Sequence, residues 1–275
     1  MKLSYATPQI DALDHAEATE MLRKIGDMGY EAVEYMINDP HKVDRAFFDD
    51  LHGKNNLKVS GLRTGSIYAC EGWRLSNPDA DVRAKAVARL KEVILLAEHF
   101  RTNIMLGLMQ GHLDPGEQLP QAKQYIIDCL RECAIFAGEH GVTIMYEAVN
   151  RFELEYNNTT DDMIWMLDRI NDGLPHPVKL LLDVYHMHLE DPSIAYAFVR
   201  GMRYMGHVHF SDSNRCAPGM GSIDFVDAVK ILSAMDYQGY IGVEVLPKPD
   251  FYIAAQRSID YLKPILASVR QVRKG

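Results

Sequence analysis

The amino-acid sequence predicts an α/β protein that folds as a single (β/α)8 barrel domain over residues 1–275. Apolar, β-rich runs recur along the chain with helical segments between them, and eight strand–helix units can be counted. The runs are continuous rather than alternating, which is typical of parallel strands covered by helices on both faces. No glycine-rich dinucleotide-binding motif follows any of the runs, and this favours the barrel over a doubly wound open sheet.

The first four units lie in the N-terminal half of the chain. A long connection follows the third apolar run, and Asn77, Pro78 and Asp79 predict the start of the helix that ends this connection. The helix of the fourth unit carries Cys129 and Cys133 on one face, a geometry that suits a disulfide badly, so we expect buried free thiols. The predicted strands of this half span residues 3–7, 31–36, 57–63 and 103–111.

The second half repeats the cycle more clearly. A Thr-Thr-Asp-Asp capping signal predicts the start of a helix near residues 161–171, and further helices are expected at about 193–202, 224–235 and 251–271. The predicted strands of this half span residues 142–150, 178–186, 206–213 and 240–247.

Composition and charge exclude several classes of function. The 275 residues carry a formal net charge of −9, which disfavours binding to the phosphate backbone of nucleic acid. No apolar run is long enough to cross a membrane, and the N-terminus lacks the apolar core of a signal peptide, so we expect a cytoplasmic protein with no membrane partner. No C-x-x-C pair is present, so a cysteine-based zinc site is not expected.

Ionisable residues occur late in four consecutive apolar runs. Glu147 lies late in the fifth run, Asp183 in the sixth and His209 in the seventh, and Glu244 lies between two valines in the eighth. In a barrel these ends meet at the C-terminal face, where the chemistry of this fold is located. Three carboxylates converging there would repel one another unless a cation lay among them.

This donor set predicts a site for one divalent metal ion. Two glutamates, one aspartate and one histidine suit Mn²⁺ or Co²⁺, with Mg²⁺ or Zn²⁺ as alternatives. His207 and His209 point to the same side of their strand, and His209 is nearer the mouth. We therefore predict His209 as the ligand and His207 as a residue of the layer below.

At four places the sequence resembles the ketose 3-epimerases of the D-tagatose/D-psicose 3-epimerase type, within the xylose isomerase-like, sugar phosphate isomerase/epimerase superfamily. The resemblance lies in EAVNRFE (147–153), LDVYHMHLED (182–191), GHVHFSDSNRCAPGMGSIDF (206–225) and GVEVLP (242–247), all in the second half. It implies that the four predicted ligands form the metal site, that Glu147 and Glu244 are also the catalytic acid/base pair, and that a homodimer or homotetramer forms. Glu153, His186 and Arg215 would hold the hydroxyl groups of the sugar.

The expected reaction is epimerisation of a ketose or ketose phosphate at carbon 3. One carboxylate would remove the proton next to the carbonyl, a cation would stabilise the resulting enediolate, and the second carboxylate would return a proton on the other face. Asp212 and Asn214 are expected to shape the loop beyond the seventh strand by local hydrogen bonds.

Other functions use the same kind of site. An aldose–ketose or hydroxypyruvate-type isomerase would need the same metal and glutamates. A zinc-dependent endonuclease for abasic DNA would need more histidines than the second and third runs supply, and the net charge opposes it. A barrel that binds sugar without catalysis would not need the whole set of metal ligands.

Overall fold

The chain forms a closed barrel of eight parallel strands, as the sequence predicts. The computed structural model describes residues 1–272, so the last residues of the predicted domain, 273–275, lie outside the described part. Each strand pairs with the next in chain order, and β1 closes the barrel against β8. The strands are β1 (Lys2–Gln9), β2 (Ala32–Met36), β3 (Lys58–Arg63), β4 (Ile104–Leu106), β5 (Ile144–Glu147), β6 (Lys179–Asp183), β7 (Met205–Phe210) and β8 (Tyr240–Val243).

Helices surround the barrel and bury its outer surface. Their apolar faces and the outward-facing strand residues form one large core that runs around the barrel. The helices are α1 (His15–Met28), α2 (Arg45–Asn55), α3 (Gly65–Glu71), α4 (Ala80–Phe100), α5 (Leu119–Glu139), α6 (Thr160–Ile170), α7 (Val184–Glu190), α8 (Ile194–Gly201), α9 (Phe225–Ala234) and α10 (Phe251–Val272).

The predicted helix starts are confirmed. The Asp79 side chain accepts a hydrogen bond from the Asp81 backbone and caps α4. Thr159 forms a capping box with Asp162 at the start of α6. Such caps satisfy amide groups that have no partner inside the helix, which is why these residue types mark helix starts in a sequence.

The prediction for the sixth strand is wrong in its second half. The strand ends at Asp183, whose side chain accepts from the backbone N–H of Tyr185 and starts α7 immediately. His186 and His188 therefore lie on a helix, with His186 buried and His188 exposed. A short apolar run has the same composition in a strand and in a buried helix, so periodicity did not separate them.

Other bounds also differ from the predictions, since β5, β7 and β8 end at Glu147, Phe210 and Val243 instead of 150, 213 and 247. The fourth strand covers only Ile104–Leu106 and is followed by a 3₁₀ turn at Leu108–Gln110. The long connection after β3 contains a helix that was not predicted, α3.

The interior of the barrel is apolar on one side and polar on the other. Met105, Met145 and Leu181 form a small apolar cluster inside the strands. The interior of such a barrel is usually filled with branched aliphatic side chains, so a buried polar layer needs a specific reason. The polar layer consists of Ser4, Glu34, Ser60, His207 and His209, all buried.

The cysteines agree with the expectation of free thiols. Cys129 and Cys133 are free and buried in α5, and burial raises the pKa of the Cys129 thiol to about 11. A thiol with a raised pKa is a poor nucleophile, so these residues serve packing. No helix among residues 1–272 is both long and apolar enough to span a bilayer.

His52 lies in an aromatic cluster between α2, β2 and α4, and it predicts a pH-dependent loss of stability. Its ring stacks on Tyr35 and meets Phe100 edge to face, and its Nε2 lies 2.6 Å from the Tyr35 hydroxyl. Burial lowers the pKa of His52 from 6.5 to about 4. Between these values the unfolded chain binds a proton that the folded protein excludes, so the free energy of unfolding should fall by about 1–3 kcal/mol as pH drops through this window.

Urea unfolding at about pH 7 and about pH 4.5 would measure this effect, with the His52→Gln variant as the control. The glutamine variant should lose less free energy of unfolding than the parent over the same interval, because all other titrating groups are shared. Equal losses in the two proteins would contradict the assignment to His52.

Candidate metal centre

The four predicted metal ligands meet at the C-terminal end of the barrel. Glu147 and Asp183 are the last residues of β5 and β6, His209 lies near the end of β7, and Glu244 directly follows β8. Each offers one ligand atom, and these atoms all lie within 4.8 Å of one another. The parallel strands bring them together because their C-terminal ends share one face of the barrel.

The chemistry of this cluster fits a cation. His209 Nδ1 lies 3.4 Å from Glu244 Oε2, 3.6 Å from Glu147 Oε1 and 4.0 Å from Asp183 Oδ2. Among the described residues, buried Glu147 Oε1 and His209 Nδ1 have no hydrogen-bond partner. Buried polar atoms without partners are costly, and a shared cation would satisfy both.

Glycine leaves space for one of the four ligands. A Cβ atom on Gly107, which follows β4, would lie 2.7 Å from Glu147 Oε2. Any larger residue at this position would displace the carboxylate. The neighbouring strand end is therefore shaped to admit the Glu147 side chain into the cluster.

Two arginines neutralise the carboxylates of the cluster. Arg215 donates to Asp183 Oδ2 at 2.6 Å and to Glu244 Oε2 at 2.5 Å. Arg63, at the end of β3, donates to Glu244 Oε1 at 2.7 Å. Burial alone would raise the pKa of Glu244, but Arg215, together with His209 and Arg63, holds it well below its usual range. The side chain of Glu244 is therefore a carboxylate at neutral pH.

His209 is held among negative charges. Burial alone would lower the pKa of this imidazole, but the carboxylates of Glu34, Glu147 and Glu244 raise it well above its usual value. These carboxylates favour a protonated imidazole ring when no cation is bound. A metal ion would have to replace the proton on Nδ1.

His186 reaches the cluster from α7 and presents a hydrogen-bond donor to it. Its Nδ1 accepts from the backbone N–H of Asn150 at 3.2 Å, so the proton of the neutral ring is on Nε2. That Nε2 lies 3.8 Å from Glu147 Oε1 and from Asp183 Oδ2. Glu153 is held nearby by the Asn150 side chain, at 2.7 Å.

A pocket opens directly above the cluster. Glu147, Glu153, His186, Arg215, Glu244 and Arg63 all line it. The structure therefore brings the seven predicted site residues into one region, since Asp183 and His209 lie just below this pocket.

The loop after β7 is shaped as the sequence predicts. The buried Asp212 carboxylate accepts from the backbone N–H groups of Ser213, Gly219 and Ile223. The Asn214 side chain donates to the carbonyl of Met220. These bonds fix the loop that carries Arg215 over the cluster.

A family model for the xylose isomerase-like TIM barrel matches residues 22–265. The chain belongs to this family. The match covers most of the barrel and all four residues of the cluster, and it confirms both the fold and the superfamily that the sequence motifs indicate.

Within the xylose isomerase-like family, the relatives with curated names include epimerases. The chain is 28% identical over 233 residues to the D-psicose 3-epimerase of Ruminiclostridium cellulolyticum, covering 81% of this chain and 76% of that protein. It is 26% identical over 238 residues to the 3-dehydro-D-guloside 4-epimerase of Escherichia coli, covering 82% of this chain and 86% of that protein. A solved structure of an L-ribulose 3-epimerase superposes with a TM-score of 0.85 at 21% identity, covering 99% of this chain and 97% of that chain.

Sequence reasoning missed two charged residues of the site. Arg63 ends the third apolar run, and Glu34 lies between Val33 and Tyr35 in the second. The signal was the one that selected Glu244, a charged residue within or at the end of an apolar strand. None of the four family motifs covers the strands of the first half, so the charged residue within each apolar run was the only signal there.

Proposed function

We propose that this xylose isomerase-like barrel is a single-domain, metal-dependent epimerase that inverts carbon 3 of a ketose. The observation that carries the proposal is the cluster of Glu147, Asp183, His209 and Glu244 beneath a pocket lined by hydrogen-bonding groups. The names of the relatives support it, because each of those reactions inverts a carbon of a sugar.

The four residues would hold one divalent cation, Mn²⁺ or Co²⁺, with Mg²⁺ or Zn²⁺ as alternatives. Three carboxylates and one imidazole form a mostly oxygen donor set, which these ions accept. When bound, the cation would act as a Lewis acid that polarises the ketose carbonyl and makes the neighbouring C–H group more acidic.

Glu147 and Glu244 are the proposed acid/base pair. One glutamate, as the carboxylate, would take the proton from carbon 3 on its face of the sugar, leaving an enediolate. The other, as the carboxylic acid, would deliver its proton to the opposite face, and proton exchange with water would restore both groups. Arg63 and Arg215 fix the orientation of the Glu244 carboxylate and keep it deprotonated, which is the form that can accept a proton. The configuration of the substrate decides which glutamate acts first.

Three further residues would bind and orient the ketose. His186 presents its Nε2–H group to the pocket, where a sugar oxygen can accept it. Glu153 would accept from a hydroxyl group, and Arg215 would donate to a substrate oxygen from the loop above the cluster. Orientation of this kind brings the C–H group into line with the carboxylate that takes its proton.

The charges in the pocket favour a free ketose over a ketose phosphate. Arg63 and Arg215 are already paired with Glu244 and Asp183. To bind a phosphate group, Arg63 or Arg215 would have to give up its ion pair with Glu244 or Asp183. A neutral sugar can bind while these ion pairs stay intact, so we expect phosphorylated ketoses to be poor substrates.

Arg63→Gln is expected to lower kcat/KM for the free ketose by about 10–100-fold, because it removes a charged hydrogen bond to a catalytic carboxylate. Arg63→Lys should restore part of the loss by returning the positive charge. Steady-state kinetics with the free and the phosphorylated forms of one ketose would measure both variants. A loss confined to the phosphorylated form would instead make Arg63 a phosphate-binding residue.

A substrate screen tests the function itself. The protein with Mn²⁺ would be incubated with D-psicose, D-tagatose, L-ribulose and their phosphates, and the products separated by chromatography. Formation of the carbon-3 epimer of a free ketose is expected. No turnover of any ketose with Mn²⁺, Co²⁺, Mg²⁺ or Zn²⁺ would overturn the proposal.

The glycoside 4-epimerase relative supports a second candidate of the same chemistry. In a 3-keto glycoside, carbon 4 is also adjacent to a carbonyl, so the same two carboxylates could invert it. Adding a 3-keto glucoside to the screen separates the candidates. Deuterium incorporation from D₂O, located by mass spectrometry, would also distinguish both from an isomerase that moves the carbonyl between carbons 1 and 2.

The nuclease and binding-protein alternatives have less support. Among residues 1–272, two groups could hold a metal ion: the cluster of Glu147, Asp183, His209 and Glu244, and the buried group of Glu34, His207 and His209. A centre for three zinc ions needs more ligands than these two groups supply. Turnover by the metal-loaded protein would exclude a pure binding function. A cytoplasmic location and a homodimer or homotetramer stay predictions from the sequence.

A further inference from the structure

A buried polar layer lies directly beneath the metal cluster, and His209 is the one member of it that the proposed reaction uses. Glu34 on β2 is 0% exposed, and His207 and His209 on β7 are 5% and 1% exposed. An ionised carboxylate at such depth is costly unless fixed donors surround it. Burial alone would raise the pKa of Glu34, but His209 and His207 hold it well below its usual range.

The two ring nitrogens of His209 face different groups, the metal cluster above and the buried polar layer below. Nδ1 points to the carboxylates of the cluster, whereas Nε2 lies 2.9 Å from Glu34 Oε2. The Nε2–H direction is not well aligned with that oxygen, and among the described residues neither atom has another hydrogen-bond partner. Glu34 Oε2 is nevertheless within hydrogen-bonding distance of His209 Nε2, so it is the acceptor for an N–H group on that nitrogen.

Glu34 itself is held firmly in place. Its Oε1 accepts from Ser4 Oγ and from His207 Nε2, each at 2.9 Å, and Ser60 Oγ lies 3.4 Å away. A Cβ atom on Gly242 of β8 would lie 2.1 Å from Glu34 Oε1, so only glycine fits at this position. Side chains from β1, β3 and β7 thus surround the carboxylate of Glu34, and β8 leaves room for it.

We propose that Glu34 is a positioning residue for the metal centre, and that it fixes His209 with its proton on Nε2 and the Nδ1 lone pair directed at the cation. The inference rests on the proposed metal site. It goes beyond that site because it gives a buried residue outside the ligand set a defined task. A histidine ligand needs an acceptor for its other N–H group, and that acceptor sets its tautomer and ring orientation.

A direct metal titration of the Glu34→Gln variant tests the proposal. Glutamine has the same shape but no charge, and Mn²⁺ affinity, followed by the electron paramagnetic resonance of the free ion, should fall about 10–100-fold. Glu34→Asp should recover part of the affinity because it restores a carboxylate. His207→Gln is the matched control, which leaves the His209–Glu34 contact in place and should change the affinity less.

Histidine ¹⁵N NMR of the wild-type protein loaded with Zn²⁺ gives a readout that needs no variant. The spectrum should show His209 protonated on Nε2 and bound through Nδ1. The opposite tautomer would overturn the inference, and so would a second ion bound by Glu34, His207 and His209. Thermal unfolding of each metal-free variant would detect a loss of affinity that comes only from a damaged fold.

The result for the wild type separates the two proposals. Wild-type protein that binds no divalent ion would overturn the metal centre and this inference together. Tight binding by the wild type with equal affinity in Glu34→Gln would overturn only the role of Glu34.

Discussion

Protein stripped of divalent metal is expected to lose its epimerase activity by at least about 10³-fold and to regain it with Mn²⁺ or Co²⁺. The C–H group at carbon 3 of a ketose is too weak an acid for a carboxylate to deprotonate unless a Lewis acid polarises the neighbouring carbonyl. Glu147, Asp183, His209 and Glu244 are the described residues that can hold such an ion within the pocket.

The experiment is dialysis against a chelator, followed by turnover assays before and after the return of each ion. Loss of activity could also follow from loss of structure, so the thermal unfolding of the stripped protein should be recorded alongside. Its Tm should rise when the ion is returned, because an ion that binds the folded state stabilises it. Full activity in protein from which elemental analysis detects no metal would refute the role of the cluster.

Glu147→Gln and Glu244→Gln are each expected to lower kcat by about 10²–10⁴-fold, because each removes one of the two groups that move the proton. Both residues are also proposed ligands, so the variants should be assayed at saturating Mn²⁺ with the bound metal measured. Glu155→Gln is a suitable control, since Glu155 pairs with His112 at the surface.

Proton exchange distinguishes the roles of the two glutamates. A variant that keeps only one acid/base group can still exchange the carbon-3 proton of one epimer with D₂O without inverting it. We therefore expect Glu147→Gln to exchange one epimer and Glu244→Gln to exchange the other, as measured by NMR. If both variants exchange both epimers, or if both retain kcat within about tenfold of the parent, the assignment of one glutamate to each face is wrong.

The C-terminal half shows how far a sequence can predict such a site. Glu147, Asp183 and Glu244 occur late in apolar runs, and in a (β/α)8 barrel the C-terminal ends of all the strands lie on one face. The four predicted ligands accordingly converge. His186 was placed in the correct region although its element was wrong, because α7 begins where the strand ends and keeps the residue near the cluster.

The contacts of Arg63, Arg215 and Glu34 could not be predicted in this way. Arg63 and Glu244 are 181 positions apart, and Glu34 and His207 are 173 positions apart. Pairs of this kind meet only because the pairing of β1 with β8 closes the barrel, and because each strand pairs with the next in a particular register. No local pattern records that register.

The sequence by itself determined the eight strand–helix units, the face of the barrel that carries the chemistry, and the residue types that could bind a cation. Local hydrophobic periodicity and capping residues specify these features, and they act over a few positions along the chain. The tertiary structure alone decided that two arginines neutralise the cluster and that Glu34 lies beneath His209. Charge pairing and the ring orientation of a histidine depend on distances across the closed barrel, which are fixed only when distant strands come together.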